Sequence, residues 1–119
     1  MTRTIRPRMS RRIPANLSVV LQVGAREVPA HLLEVSVGGF LLECMQELPE
    51  TFSVLLASPS GTDDTVVPVR IQHASTTRNG DGLTVYRLGL AITDRSPAVR
   101  SALDAVLQRE KYAHFRGRK

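Results

Sequence analysis

The stretch from residue 31 to residue 43 reads HLLEVSVGGFLLE, with strand-forming residues on both sides of a short turn signal. The turn signal is Ser36-Val37-Gly38-Gly39. Glycine adopts φ > 0 without strain, so two adjacent glycines favour a tight turn between two strands. Because glycine has no side chain, a ligand or another backbone can also approach closely here. The stretch therefore predicts a β-hairpin that turns at residues 36–39.

Two polar residues lie just before the glycines. Glu34 and Ser36 are two residues apart, so in a strand they would share one face, opposite to Leu33 and Val35. On that face a carboxylate would lie beside a hydroxyl group, a pair able to bind a polar ligand. An ordinary hairpin with a solvated glutamate and a turn serine fits the same residues. This stretch alone does not separate the two interpretations.

The composition indicates one soluble domain with an aliphatic core. The chain has 119 residues, of which 42% are hydrophobic and only 4% aromatic, and a domain of this size can bury a core of its own. The single cysteine, Cys44, excludes a disulfide framework and indicates a reducing compartment. No apolar run approaches the ~20 residues that a transmembrane helix needs. We therefore expect a cytoplasmic protein.

The charge is concentrated at the two ends of the chain. Residues 1–12 carry a net charge of +5 and residues 109–119 a net charge of +4, whereas residues 13–108 carry −4. Basic ends on a mildly acidic body argue against a broad cationic face for duplex DNA. They favour a local anion site built by one or both ends. We expect residues 1–12 to form a flexible basic arm and residues 113–119 a basic tail.

The middle of the chain consists of short strand-forming runs separated by turn signals. The predicted strands cover residues 17–23, 27–35, 40–44, 52–57, 65–74 and 83–92. Between the last two, Asn79-Gly80 is the strongest short hairpin signal in the sequence. Six short strands with frequent turns favour a closed barrel, which has no exposed edges.

The periodicity changes after Asp94. Ser96-Pro97 is typical of a helix start, with serine as N-cap and proline at the first helical position. The apolar residues that follow recur at helical spacing and are Val99, Leu103, Val106 and Leu107. We expect one helix over about residues 97–112, laid on an open end or side of the barrel. The predicted domain is residues 13–112, a six-stranded antiparallel β-barrel of all-β class with a C-terminal helix.

Two arginines of the basic arm are spaced in a specific way relative to the hairpin. Arg8 and Arg12 are four residues apart, and the pattern ExSxxG of Glu34, Ser36 and Gly39 follows about twenty residues later. This combination resembles the PilZ domain, whose hallmark is an RxxxR arm followed by a [D/N]xSxxG motif. The resemblance covers nearly the whole chain, including the pattern RLGLAI of residues 87–92 in the last strand.

The resemblance implies a split-barrel type of fold and a signalling function. Members of the family typically bind the bacterial second messenger cyclic di-GMP and pass the signal to a partner protein. The implied ligand-binding residues are Arg8, Arg12, Glu34, Ser36 and Gly39, with Arg11 and Gly38 as additional contacts. The identity of the downstream effector protein does not follow from the resemblance.

The chemistry of these residue types suits that ligand. A guanidinium group matches guanine O6 and N7 in a bidentate fork, pairs with phosphate and stacks on a purine face. Lysine would supply the charge without the fork. A carboxylate accepts hydrogen bonds from guanine N–H groups, and glycine allows close approach. We expect a flexible arm to close over the ligand and to become ordered by binding.

Glu34 departs from the family pattern, which has Asp or Asn at this position. The extra methylene moves the carboxylate by about 1.5 Å, whereas a hydrogen bond tolerates only a few tenths of an ångström. Losing one bond to a charged acceptor costs about 1.5–3 kcal/mol. Some members of the family have lost the ligand and act through protein contacts. A ligand-free adaptor is therefore the alternative function.

Other functional classes are less compatible with the sequence. The three histidines have no metal-ligand spacing, and no glycine-rich phosphate loop occurs, so we expect no metal, no cofactor and no enzymatic activity. A small basic barrel could bind RNA or single-stranded DNA, but such barrels use aromatic stacking platforms. This chain has no Trp, two Tyr and three Phe. Nucleic acid is therefore not an expected partner.

Overall fold

The computed structural model describes residues 12–57 and 63–116, with side chains described up to Lys111. Six strands precede one helix: β1 Ile13–Val23, β2 Arg26–Val35, β3 Gly39–Cys44, β4 Thr51–Ala57, β5 Asp64–Arg78, β6 Thr84–Ile92 and α1 Pro97–Arg116. All neighbouring strands are antiparallel and close into a barrel in the order β1-β2-β3-β6-β5-β4. The predicted six-stranded antiparallel barrel with a C-terminal helix is confirmed.

The core fills the barrel because apolar residues alternate with polar or exposed ones along the strands. In β4, Phe52, Val54 and Leu56 are buried, and the residues between them are not. Helix α1 packs against β1, β4 and β5. Its buried residues are Val99, Ala102, Leu103 and Val106, which lie on one helical face. The barrel and the inner face of α1 share one hydrophobic core.

The start of α1 has the predicted cap. The Ser96 hydroxyl accepts a hydrogen bond from the Val99 amide at 3.4 Å, and the Ser96 carbonyl accepts one from the Arg100 amide at 3.0 Å. The helix continues four residues past the predicted end at residue 112. The helix is described as far as Arg116, and no proline or glycine occurs between residues 98 and 116. No helix in the described residues is long and apolar enough to cross a membrane.

Two strands, β1 and β5, extend four residues beyond a predicted end. β1 begins at Ile13 rather than residue 17, because Ile13 and Pro14 pair with Val35 and Glu34 of β2. Proline is tolerated there because the described pairing of β1 with β4 is confined to residues 20–22, which leaves one side of the strand start unpaired. β5 continues from residue 74 to Arg78 and pairs with β6 beyond the end of β4.

The turns use glycine differently from the predictions. Gly24 has φ +62 in the two-residue turn between β1 and β2. In the β5–β6 hairpin the positive φ of +78 occurs at Gly82, not at Gly80 of the predicted Asn-Gly turn. The Asn79 side chain organises this turn by accepting hydrogen bonds from the amides of Asp81 and Leu83. The hairpin forms where predicted, and the loop between its strands, residues 79–83, is shorter than the predicted gap of residues 75–82.

Candidate functional site

An open cleft of about 330 Å³ lies on the outer wall of the barrel, across β2, β3, β6 and β5. The side chains and glycines most relevant to ligand binding are Arg12, Glu34, Ser36, Gly38, Gly39, Gln72, His73, Ser75, Arg87 and Gly89. Barrel closure brings these residues together, because the strand order places β3 beside β6 and β6 beside β5. The described part of the predicted ligand site is therefore one continuous surface.

Glu34 owes its orientation to an irregularity in β2. The register between β2 and β3 shifts between Leu32 and Glu34, so Leu33 is an extra residue. Leu32 and Val35 are fully buried, whereas Leu33 and Glu34 are only half-buried. The prediction that Leu33 and Val35 share the core face is thus wrong for Leu33. Glu34 nevertheless lines the cleft.

Arg12 and Glu34 form an ion pair at one end of the cleft. Arg12 Nη1 lies 3.4 Å from Glu34 Oε1. Arg12 immediately precedes β1, and Pro14 is paired with Glu34 across the β1–β2 ladder. Both side chains are well exposed, at 51% and 36%. The pair is therefore weak and accessible to a competing ligand.

The Ser36 side chain forms hydrogen bonds within its own turn. Its hydroxyl accepts hydrogen bonds from the amides of Gly38 and Gly39, at 3.2 and 3.1 Å, and donates one to the Gly39 carbonyl at 3.3 Å. Ser36 is buried, and β2 ends one residue before it. The shared strand face was predicted for two residues of one strand, whereas Ser36 lies one residue past the end of β2. Ser36 lines the cleft while holding the turn together.

Gly39 is required for packing and not for a positive φ. Among the described residues, φ is positive at Gly24 and Gly82, so the prediction of a left-handed glycine at residues 38–39 is wrong. A Cβ on Gly39 would collide with the carbonyl oxygen of Leu90 on β6. The close approach of another backbone, which the sequence also suggested, is the actual reason for glycine at this position.

The turn is also attached to the segment that leads into the helix. The Gly38 carbonyl accepts a hydrogen bond from the Ile92 amide at 3.0 Å. Arg95 Nη1 donates a hydrogen bond to the Val37 carbonyl at 2.8 Å. Residues 36–39 are therefore fixed both to the end of β6 and to the residues just before α1.

The far wall of the cleft was not predicted. Arg87 lies directly opposite Glu43 in the β3–β6 ladder, and its Nε and Nη2 donate to Glu43 Oε2 at 3.1 and 2.6 Å. His73 is paired with Gly89 of β6, and its imidazole lies next to this glycine. Nothing in the spacing of the histidines predicts that His73 belongs to this cleft. The arginine of the RLGLAI pattern was the available signal for this wall.

Two of the predicted ligand residues, Arg8 and Arg11, lie outside the described residues, as does most of the predicted arm. The described residues contain no group of three or more metal-ligating side chains that could hold a metal ion. Cys44 lies at the end of β3, is not a cleft residue and is buried. Burial raises the pKa of its thiol, so the thiol remains protonated and unreactive at neutral pH.

The closed barrel with one C-terminal helix and an external polar cleft, lined by Arg12, Glu34 and Arg87, defines a small single-barrel domain. The model of the PilZ domain matches residues 6–109. The chain belongs to the PilZ domain family. No curated protein matches the sequence significantly.

Solved structures share this fold at low sequence identity. The PilZ domain of YcgR from Escherichia coli, with c-di-GMP, aligns with a TM-score of 0.69 and 18% identity over 96% of this chain and 99% of that chain. PlzA from Borreliella burgdorferi, in complex with c-di-GMP, aligns at 0.64 with 11% identity over 91% of this chain and 53% of that chain. The Bacillus subtilis inhibitor of motility MotI/DgrA aligns at 0.64 with 16% identity, over 97% and 55%. The chain therefore spans about half the length of the last two proteins.

Proposed function

We propose that this chain is a cytoplasmic receptor domain that binds cyclic di-GMP in the cleft between Arg12 and Gly89 and passes the signal to a partner protein. The observation that carries the proposal is the convergence of Arg12 with the motif residues Glu34 and Gly39 on one open surface. Family membership supports it, as do two structural neighbours whose structures contain c-di-GMP.

The charges of the cleft suit a dinucleotide with two phosphates. Arg12 is half-exposed at one end, and Arg87 is half-exposed near the other. Each guanidinium is paired with a carboxylate across the protein surface, Arg12 with Glu34 and Arg87 with Glu43. A phosphate or a guanine edge can replace such an exposed carboxylate at small cost, because surface ion pairs contribute only about 0–1 kcal/mol.

The two walls of the cleft would make different contacts. We call the side of the cleft formed by Arg12 and residues 34–39 the near wall. There, Arg12 supplies a fork for phosphate or guanine, and Glu34 accepts hydrogen bonds from guanine N–H groups. Ser36 would act by holding Gly38 and Gly39 in place, since its hydroxyl is already bonded to their amides. On the far wall, the imidazole of His73 offers a flat surface next to Gly89. We expect the arm that carries Arg8 and Arg11 to close over the bound ligand.

A ligand-free adaptor remains the second candidate, and one observation favours it. Glu34 is longer than the Asp or Asn of the family pattern and reaches Arg12. If this internal pair persists against the ligand, Arg12 is held by Glu34 and the domain would act through protein contacts only. The two functions differ in whether the ligand competes successfully with Glu34.

Calorimetric titration tests the proposal directly. The parent protein should give saturable heat with cyclic di-GMP and none with GTP at the same concentration. Arg12→Ala should abolish the heat. Arg100→Ala is the matched control, because Arg100 is an exposed helix residue outside the cleft and its loss changes the net charge equally. No binding by the parent, or equal binding by both variants, would reject the proposed site.

A further inference from the structure

We propose that the exposed edge of β5 pairs with the same edge of a second copy of this chain, so that two barrels are joined by an antiparallel sheet. We call residues 72–78 the β5 edge. They form the part of β5 that continues past the end of β4, and all of them are exposed. This inference does not depend on the ligand proposed above.

One side of the β5 edge has no described partner strand. The β4–β5 ladder ends at Thr51 opposite Arg70, and the last bond on that side runs from the Ile71 amide to the Glu50 carbonyl at 2.9 Å. From His73 to Arg78, the described ladder of β5 is with β6 alone. A row of unpaired amide and carbonyl groups is a template for another strand.

The direction of the backbone groups can be assigned along the edge. The Asn79 amide donates to the Leu83 carbonyl on the β6 side of the hairpin at 2.9 Å. Amide directions alternate along an antiparallel strand. The amides of Ser75 and Thr77 therefore point to β6, and those of Ala74 and Thr76 point away from it. Ala74 and Thr76 are the residues that can bond to an added strand.

The sequence of the edge lacks the usual protection against such pairing. Exposed edges in natural sheets are commonly blocked by charged side chains or proline. Residues 72–77, QHASTT, contain neither, and the two threonines favour extended backbone. The register shift between Ile71 and His73 lies at the base of the edge, so it does not interrupt the residues beyond His73.

The edge is complementary to itself about Ser75. In an antiparallel pair centred on Ser75, Ala74 lies opposite the partner's Thr76, and the two exchange amide–carbonyl hydrogen bonds in both directions. Thr77 then lies opposite the partner's His73, and Arg78 lies beside the partner's bulged Gln72, so no like charges face each other. The small side chains of Ala74 and Ser75 at the centre allow close approach. A second copy is therefore the partner that this edge fits.

This arrangement would bring the two clefts close together. Residues 72–75 belong to the β5 edge and also line the cleft. A two-fold axis through an antiparallel strand pair is perpendicular to the sheet, so both clefts would open on the same face of the joined sheet. The second copy would thus extend the β5 wall of each cleft.

Disulfide trapping tests the register. In the proposed pair the two Ser75 Cα atoms are about 4.5 Å apart, a separation that a disulfide spans. Ser75→Cys should therefore form a covalent dimer on mild oxidation. Thr77→Cys is the matched control, because the two Thr77 Cα atoms would be about 14 Å apart along the strands. Buried Cys44 is common to both variants. Equal cross-linking of both variants, or of neither, would overturn the proposal.

Sedimentation of the unmodified chain tests the association itself. The mass should rise from one copy to two with increasing concentration. Thr76→Pro should keep the chain monomeric and its melting temperature nearly unchanged, because the Thr76 amide points away from β6. A parent that stays monomeric at all concentrations, or a Thr76→Pro variant that dimerises like the parent, would contradict the inference. If Thr76→Pro does not fold, the two cysteine variants decide.

Discussion

The guanidinium of Arg12 lies 3.4 Å from the carboxylate of Glu34, so the two charged residues of the near wall are already paired with each other. This pair bridges the residue before β1 and the end of β2. Because both side chains are exposed, it contributes only about 0–1 kcal/mol to stability. Its importance lies in binding, since an anionic ligand of Arg12 would compete with Glu34 for Nη1 or bind the remaining N–H donors of the guanidinium.

Replacement of Arg12 should show whether ligand affinity depends on the positive charge alone or also on the shape of the guanidinium group. We expect Arg12→Lys to lower the affinity for cyclic di-GMP at least about tenfold, because lysine keeps the charge but not the bidentate fork. Arg8→Ala should abolish detectable binding, as should Arg12→Ala. The free energy of unfolding, followed by thermal melting, should change by about 1 kcal/mol or less in all three variants. A parent-like affinity for Arg12→Lys would reject the fork geometry.

Replacement of Glu34 should reveal whether the carboxylate touches the ligand. Glu34→Asp is expected to hold or raise the affinity, because the shorter side chain restores the family geometry and releases Arg12. Glu34→Ala should weaken binding, by about 1–3 kcal/mol, since guanine N–H groups would lose their acceptor. Titration of the parent and both variants side by side decides the outcome. Equal affinity of the parent and Glu34→Ala would show that the arginines alone carry recognition, and no binding by any of the three would favour the adaptor.

Gly39→Ala should destabilise the fold by about 1–3 kcal/mol or more, because the new methyl group would collide with the Leu90 carbonyl in the β3–β6 ladder. Chemical denaturation measures this change. Gly80→Ala is the matched control, since nothing lies within 4 Å of the added Cβ and φ is not positive there. The control should stay within about 0.5 kcal/mol of the parent. Equal stability of the two variants would contradict the close approach of β3 and β6.

Ser36→Ala should lower both stability and affinity. The substitution leaves the amides of the half-buried Gly38 and Gly39 without their hydroxyl acceptor, which costs about 0.5–1.5 kcal/mol per hydrogen bond. Denaturation and calorimetry on the same samples test both effects. A loss of affinity without any loss of stability would instead indicate direct contact of the hydroxyl with the ligand.

Much of the fold could be predicted because its signals are local. The alternation of apolar residues gave the strands, and Ser96-Pro97 gave the helix start that the structure confirms. The near wall followed from residues close together in sequence, Glu34 to Gly39. The strand ends were less accurate, because the extension of β5 to Arg78 depends on pairing with β6 and not on local propensity.

The far wall could not be predicted from spacing alone. His73 reaches the cleft because the register shift after Ile71 places it opposite Gly89. Arg87 reaches the cleft because β6 pairs with β3 as well as with β5, the strand that precedes it in the sequence. Both facts are non-local consequences of barrel closure. The bulge at Leu33 is similar, since simple alternation assigned this residue to the core face.

The hydrogen bonds of Ser36 bear on how this family is recognised in genomes. The Ser36 hydroxyl holds its own turn, and Gly39 admits the β6 backbone. Selection for folding alone would therefore preserve the serine and the glycine in a descendant that no longer binds any nucleotide. Arg12, which is exposed and contributes little to folding, would be free to drift. In related sequences the arm arginines should consequently be the better marker of a functioning receptor, and the Ser-x-x-Gly motif a marker of ancestry.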